Sequence, residues 1–253
     1  MLRLIFSFLL LISTNTYALS NSVAAEEAGW KSVVFIKIPY PANDDDGGVG
    51  MCNATLLDSQ TMLTAAHCFI KSSFLQGEKL DIEVGEYTYI VKNGVRKKIG
   101  YKATIKHASS GTLKILNGVN LNSTSVISPE LDIAIVMLDA PLSLPADFIF
   151  APLWNKPLPQ LTAANKLTVV SVNVIETIAH LDSKQKATLN EYKQTSNNVY
   201  STSLSRVAPG DSGAPLFASI EGKTYLIGVV KGTVKQFFME RDIYVTLQGR
   251  LKP

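Results

Sequence analysis

The chain has 253 residues, 46% hydrophobic and 18% charged, a mix that excludes disordered and collagen-like proteins. Its 24 basic and 21 acidic side chains leave a net charge of +3 without any dense Lys/Arg block, so no nucleic-acid partner is expected. Two cysteines are too few for a disulfide-scaffold miniprotein, and the length suits one large domain or two medium ones.

The chain opens with Arg3, an apolar stretch from Leu4 to Ile12, and a polar tail ending at Ala18, with small residues one and three before a possible cut. This pattern predicts a secretory signal peptide over residues 1–18. The competing reading is a membrane anchor, but a span needs about 20 apolar residues, and polar residues interrupt this stretch well before that. The mature protein is expected to be secreted or periplasmic, free of the membrane after signal removal, and able to keep a disulfide. Cys52 and Cys68 are the only candidates for one.

Short runs rich in β-branched and aromatic residues follow at 32–38, 81–84, 87–91, 133–138, 167–174 and 225–230, and these predict strands. Turn clusters such as residues 43–48 and Asn93-Gly94 separate them, and no stretch keeps a long helical period, so the class is all-β. Asn93-Gly94 is the best hairpin turn, since both residues tolerate the positive φ of a type I′ turn. The acidic run Asp44-Asp45-Asp46 reads as a solvated turn; the glutamate-ended loop spacing of a calcium site is absent. Pro141, Pro145, Pro152, Pro157 and Pro159 would interrupt sheet hydrogen bonding and mark residues 141–159 as a linker. The halves are then residues 19–140 and 160–253, with a cleft between them where a site is expected. His107 and His180 have no supporting motif, and no Cys or His spacing argues for zinc or another metal.

Three segments carry chemistry: Leu63-Thr64-Ala65-Ala66-His67-Cys68, Leu131-Asp132-Ile133-Ala134-Ile135-Val136, and Pro209-Gly210-Asp211-Ser212-Gly213-Ala214-Pro215. Taken singly, the first could be a core histidine, the second a strand-start acid and the third an ordinary turn. In this order they resemble the trypsin-like (chymotrypsin-fold) serine proteases, whose chain order is His, Asp, Ser. The combination of Pro209 and Ala214 around the serine is closer to bacterial secreted members than to digestive ones.

The resemblance implies two antiparallel six-stranded β-barrels with the active site in the cleft between them, His67 and Asp132 on the first and Ser212 on the second. It implies a secreted serine endopeptidase working through an acyl-enzyme, with a protein or peptide as substrate, protein inhibitors as a further class of partner, and no cofactor. Ser212 would be the nucleophile, His67 its general base and Asp132 the group that orients and stabilises the imidazole. The N–H groups of Gly210 and Ser212 would form the oxyanion hole, where loss of one donor typically costs about 10²–10³ in rate. A Cys52–Cys68 bridge at the family's usual spacing would hold His67 in place. The alternative reading is a non-catalytic binding protein on the same scaffold.

Several features depart from the family pattern. No basic residue precedes an Ile-Val-Gly-Gly type segment, so the usual activating cut is not visible, and either signal removal creates the working N-terminus or Asp211 is satisfied in another way. The strand-like 243–247 segment is followed by little sequence for the usual C-terminal helix. In the expected specificity pocket, Arg206 would favour an acidic side chain before the cut bond and Asp242 a basic one, while their pairing would leave the pocket neutral. No histidine lies in the pocket segments, which argues against the pocket of glutamate-specific bacterial relatives.

Overall fold

The computed structural model describes residues 19, 22–25, 30–39, 49–70, 80–85, 89–92, 95–98, 107–115, 132–172, 184–202, 207–236 and 239–247. The expected signal peptide, the acidic turn Asp44–Asp46, the Asn93-Gly94 turn, His180 and Arg206 lie outside them.

The described chain is all-β. Its strands are β1 (Val23–Ala24), β2 (Val33–Pro39), β3 (Val49–Leu56), β4 (Thr61–Thr64), β5 (Leu80–Gly85), β6 (Tyr89–Lys92), β7 (Val95–Lys98) and β8 (His107–Ile115), then β9 (Ala134–Leu138), β10 (Leu167–Val172), β11 (Lys184–Leu189), β12 (Tyr192–Gln194), β13 (Asn198–Ser201), β14 (Pro215–Ile220), β15 (Lys223–Gln236) and β16 (Met239–Thr246). A short 3-10 helix spans Ala66–Phe69. No helix among the described residues is long and apolar enough to cross a membrane.

Six strands close into a barrel in the order β2-β3-β4-β9-β8-β5. Eight more form one antiparallel sheet, β1-β11-β10-β14-β15-β16-β13-β12. Its six inner strands correspond to the second six-stranded unit of the expected two-barrel fold, and β1 and β12 extend the two edges. The sheet wraps around one core, because β11 and β13 bring Leu189 and Val199 to the same apolar cluster as Leu216 and Tyr244. The β6–β7 hairpin pairs Lys92 with Val95, the register a two-residue loop requires. Between Leu138 and Leu167 the chain forms no strand and only one isolated bridge, Leu153 to Leu226.

The continuous apolar strands are explained by burial on both faces. Along β2, Val34, Ile36 and Ile38 enter the barrel core, while Val33 and Phe35 join a cluster shared with Val170, Val172, Phe217 and Val245 of the second sheet. Along β10 the same alternation sends Leu167 and Val169 into the sheet's own core and Val170 and Val172 to the shared layer. A strand with only one covered face would read as alternating apolar and polar; these do not, because the two halves pack against each other. This shared apolar layer joins the two halves.

Candidate active site

Strand register brings His67 and Asp132 together. β4 ends at Thr64 opposite Ala134, the first residue of β9. The chain leaves β4 into the 3-10 helix that carries His67, while Asp132 stands just ahead of β9, so the two side chains arrive at one end of the barrel. Asp132 Oδ1 accepts the His67 backbone N–H at 2.8 Å, and Oδ2 faces ring Nδ1 at 2.8 Å. Cys68, next in the chain, is bonded to Cys52 of β3 across a Cα–Cα distance of 6.3 Å, which pins the helix to the barrel wall. Cys52, His67 and Cys68 are the one grouping of metal-ligand residue types found among the described residues. With both sulfurs joined to each other, it offers a metal a single imidazole.

Asp132 is completely buried. Burial by itself would raise its pKa, but the His67 hydrogen bond and charge, the Lys231 ammonium and the His67 N–H together hold it below its ordinary value. An ionised carboxylate only accepts hydrogen bonds, so Nδ1 carries the ring proton and Nε2 presents its lone pair. Nε2 lies 2.8 Å from Ser212 Oγ. The hydroxyl therefore donates to the group that can take its proton.

Ser212 comes from the second sheet, on the turn before β14. The turn is closed by Asp211 N–H to Ala208 O at 3.0 Å and Ala214 N–H to Asp211 O at 2.9 Å. Gly213 N–H donates to Val230 O at 2.9 Å, and Asn53 N–H, from the barrel, donates to Ser212 O at 2.7 Å. Gly210 and Gly213 have φ of 97° and 77°, in the left-handed region that favours glycine. A Cβ on Gly213 would stand 2.2 Å from Asn53 O and 2.3 Å from Thr64 Oγ1, so the Ser212-turn backbone can approach the barrel only without a side chain. Gly210 and Ser212, the expected oxyanion donors, share this turn.

A family model described as Trypsin matches residues 28–237. The chain belongs to the trypsin family. That family is one of serine peptidases and also includes inactive members. Among solved structures, this trypsin-family chain is similar to a Glu endopeptidase in complex with MPD, at 14% identity and a TM-score of 0.58, over 92% of this chain and 95% of that one. It is also similar to the scabies mite inactivated protease paralogue S-I1, at 16% identity and a TM-score of 0.59, over 90% of this chain and 94% of that one. At such identities the likeness is one of fold.

Three residues that the motifs did not single out complete the site of this trypsin-family chain. Asn53 is fully buried; its Nδ2 donates to Gly210 O at 2.7 Å and Val172 O at 3.4 Å, and its Oδ1 accepts the Val172 N–H at 2.7 Å. One amide thus ties the barrel to β10 and to the Ser212 turn. A lone asparagine beside Cys52 in an apolar run is the sequence signal that points to it. Ser171 donates its hydroxyl to Asp211 Oδ1, while Oδ2 accepts the Ala208 N–H at 2.9 Å. Complete burial pushes the Asp211 carboxyl well above its ordinary pKa despite these two donors, and Asp242 nearby adds to the rise. Lys231, on β15, is the third; its Nζ lies 3.4 Å from Asp132 Oδ2.

Of the two expected pocket residues, Asp242 is described. Its carboxylate is buried and accepts the Val207 N–H at 3.3 Å and the Tyr244 hydroxyl at 3.0 Å, while its own N–H donates to Ser201 Oγ at 2.9 Å.

Proposed function

We propose that this chain is an exported serine endopeptidase that cleaves protein or peptide substrates through an acyl-enzyme, with Ser212 as nucleophile, His67 as general base and Asp132 as its orienting acid. The observation that carries this reading is one imidazole within 2.8 Å of both Asp132 Oδ2 and Ser212 Oγ. In the reaction, Ser212 Oγ bonds to the substrate carbonyl carbon as its proton passes to His67 Nε2, and the carbonyl electrons move onto oxygen. The N–H groups of Gly210 and Ser212 would hold that oxyanion. Collapse breaks the C–N bond, and Nε2 returns the proton to the leaving amine. Water then repeats the sequence to release the acid and restore Ser212. No metal or organic cofactor enters any step.

Export would follow from cleavage after Ala18. Leu19, the residue after that cut, is almost fully buried and bridges Val207, one residue before the Ala208 that binds Asp211. Asp211 is also supplied with donors by Ser171 and Ala208. Both observations support a peptidase that works without a separate activating protease. Arg206 and Asp242 jointly set the preference for the residue before the cut bond in this reading.

The test is turnover of a mixed peptide library by the purified chain, with Ser212→Ala as control and the residue before each cut identified. Cleavage that disappears in Ser212→Ala supports the peptidase, and a profile unchanged in Asp242→Ala removes that acid from specificity. A serine-reactive phosphonate that fails to label the wild type, together with no cleavage, would instead move the reading to a binding protein on the same scaffold or to an inactive precursor.

A further inference from the structure

Lys231 brings a cation to the buried end of the His67–Asp132 pair. Its ammonium and His67 Nδ1 meet the same carboxylate oxygen, Asp132 Oδ2, at 3.4 Å and 2.8 Å. The lysine crosses from the second sheet to the barrel, and its side chain is only 16% exposed. Its placement is built into the backbone. Val230 is fastened to the two residues that follow Ser212, accepting from Gly213 N–H at 2.9 Å and donating to Ala214 O at 2.8 Å. The β15–β16 pairing then slips, with Val230 opposite Tyr244 and Gly232 opposite Ile243, so that Lys231 is the extra residue of a β-bulge. Bulges re-aim side chains in this way beside functional sites.

A cation at this position acts in two opposed directions. It keeps the buried Asp132 ionised and fixed, which favours the Nδ1–H tautomer that leaves Nε2 free to accept the serine proton. It also repels a second positive charge on the ring, so it disfavours the imidazolium that Asp132 alone would stabilise. Among the described residues, the groups gathered around His67 are the Asp132 carboxylate, the Lys231 ammonium and the Ser212 hydroxyl; Asp211, next to Ser212, is occupied by Ser171 and Ala208 N–H. Among the described residues the balance at His67 is therefore set by one anion and one cation instead of by an anion alone.

We infer that Lys231 is a positioning residue that tunes the proton balance of the His67–Asp132 pair and so extends the enzyme's working range toward acid pH. This rests on the serine-peptidase reading for its kinetic consequence, but the charge coupling itself does not need turnover. Replacing Lys231 removes the repulsion, the ring holds a proton to higher pH, and the neutral base is lost sooner on acidification. For a partly screened unit charge a few ångströms beyond the carboxylate, the displacement is about one pH unit.

The experiment has two arms. The first measures the pH profile of kcat/KM on a fluorogenic peptide for wild type, Lys231→Met, Lys231→Gln and Lys231→Arg. The acidic limb of Met and Gln variants is expected to move up by about one pH unit, while Arg, which keeps the charge, stays near wild type. The second follows the His67 ring resonances by NMR across the same pH range in the Ser212→Ala background, with and without Lys231→Gln. The same upward displacement is expected there. A lowered plateau with an unmoved limb and an unmoved ring titration would overturn the inference and leave Lys231 a packing residue. A displaced ring titration in a protein that cleaves no peptide would uphold the charge coupling and reject the peptidase reading.

Discussion

The two halves hold their parts of the site by different means. His67 and Asp132 ride on neighbouring strand ends of a closed barrel, where four register pairs between β4 and β9 support one another. Ser212 rides on a turn with no strand of its own, shaped by glycines at φ 97° and 77° and by hydrogen bonds from Asn53 and Val230. Register is redundant, since each ladder bond reinforces the next. The turn is not, because its bonds run to separate partners with no ladder behind them, and the loss of one is not made up by the next. Single substitutions should therefore damage the Ser212 side of the cleft far more than the His67 side.

The largest effect is expected from Gly213→Ala. A methyl group there meets the Asn53 carbonyl at 2.2 Å in a backbone conformation that L side chains rarely adopt. A loss of about 4 kcal/mol or more by urea unfolding is expected, with peptide turnover abolished. Tolerance of the alanine would show that the turn can relax and would end the contrast. On the barrel side, replacing both Cys52 and Cys68 by alanine removes a constraint on the 16-residue separation between them. Stability should fall by about 3 kcal/mol. Below the unfolding transition kcat/KM should change little, because register still delivers His67 to Asp132; a collapse of kcat would make the disulfide, not the register, the organiser of that half.

Asn53→Ala comes next. It leaves the Gly210 carbonyl and the Val172 N–H without this buried partner and should cost about 2 kcal/mol. Because the lost bonds reach the Ser212 turn, kcat should drop more than KM rises, which steady-state kinetics on one peptide will separate.

Asp211 sharpens the comparison through pH. Its folded pKa is raised by burial, so the folded state holds the proton longer than the unfolded chain. Its effect on stability is therefore most favourable below the ordinary carboxylate range and declines as pH rises from there toward the raised value. Asp211→Asn, whose amide can still accept from Ala208 N–H, should flatten that decline when Tm is followed between pH 4 and neutrality, a window set by the direction of the shift. An unchanged slope would show that Asp211 ionises without penalty. The smallest effect belongs to the exposed pair Lys31–Asp147, 3.0 Å apart on the surface. Lys31→Ala should leave Tm unchanged at physiological salt.

Legibility in the sequence follows burial. The runs at 32–38, 81–84, 133–138, 167–174 and 225–230 overlap β2, β5, β9, β10 and β15, and three of these, β2, β10 and β15, lie in doubly covered layers that favour β-branched and apolar residues. β11 was harder to read. Its inward face is Gln185, Ala187 and Leu189 between outward Lys184, Lys186 and Thr188, and Gln185 is acceptable there because Ser22, just ahead of the neighbouring strand β1, donates to it at 3.2 Å. β1, next in sequence to the barrel, pairs instead with β11 of the other half, a choice no local pattern announces.

The same division runs through the site. By itself the sequence determined that His67, Asp132 and Ser212 stand in three motifs whose order resembles that of the trypsin family, and it determined the glycines, because a backbone at positive φ favours that residue. Tertiary structure alone decided how charge is distributed around them. Asn53, Ser171 and Lys231 stand 159, 41 and 19 positions from Ser212 in the chain. Their roles arise when two sheets close on a shared apolar layer and leave buried polar groups that must find partners across it, and no spacing along one strand encodes which partner that will be.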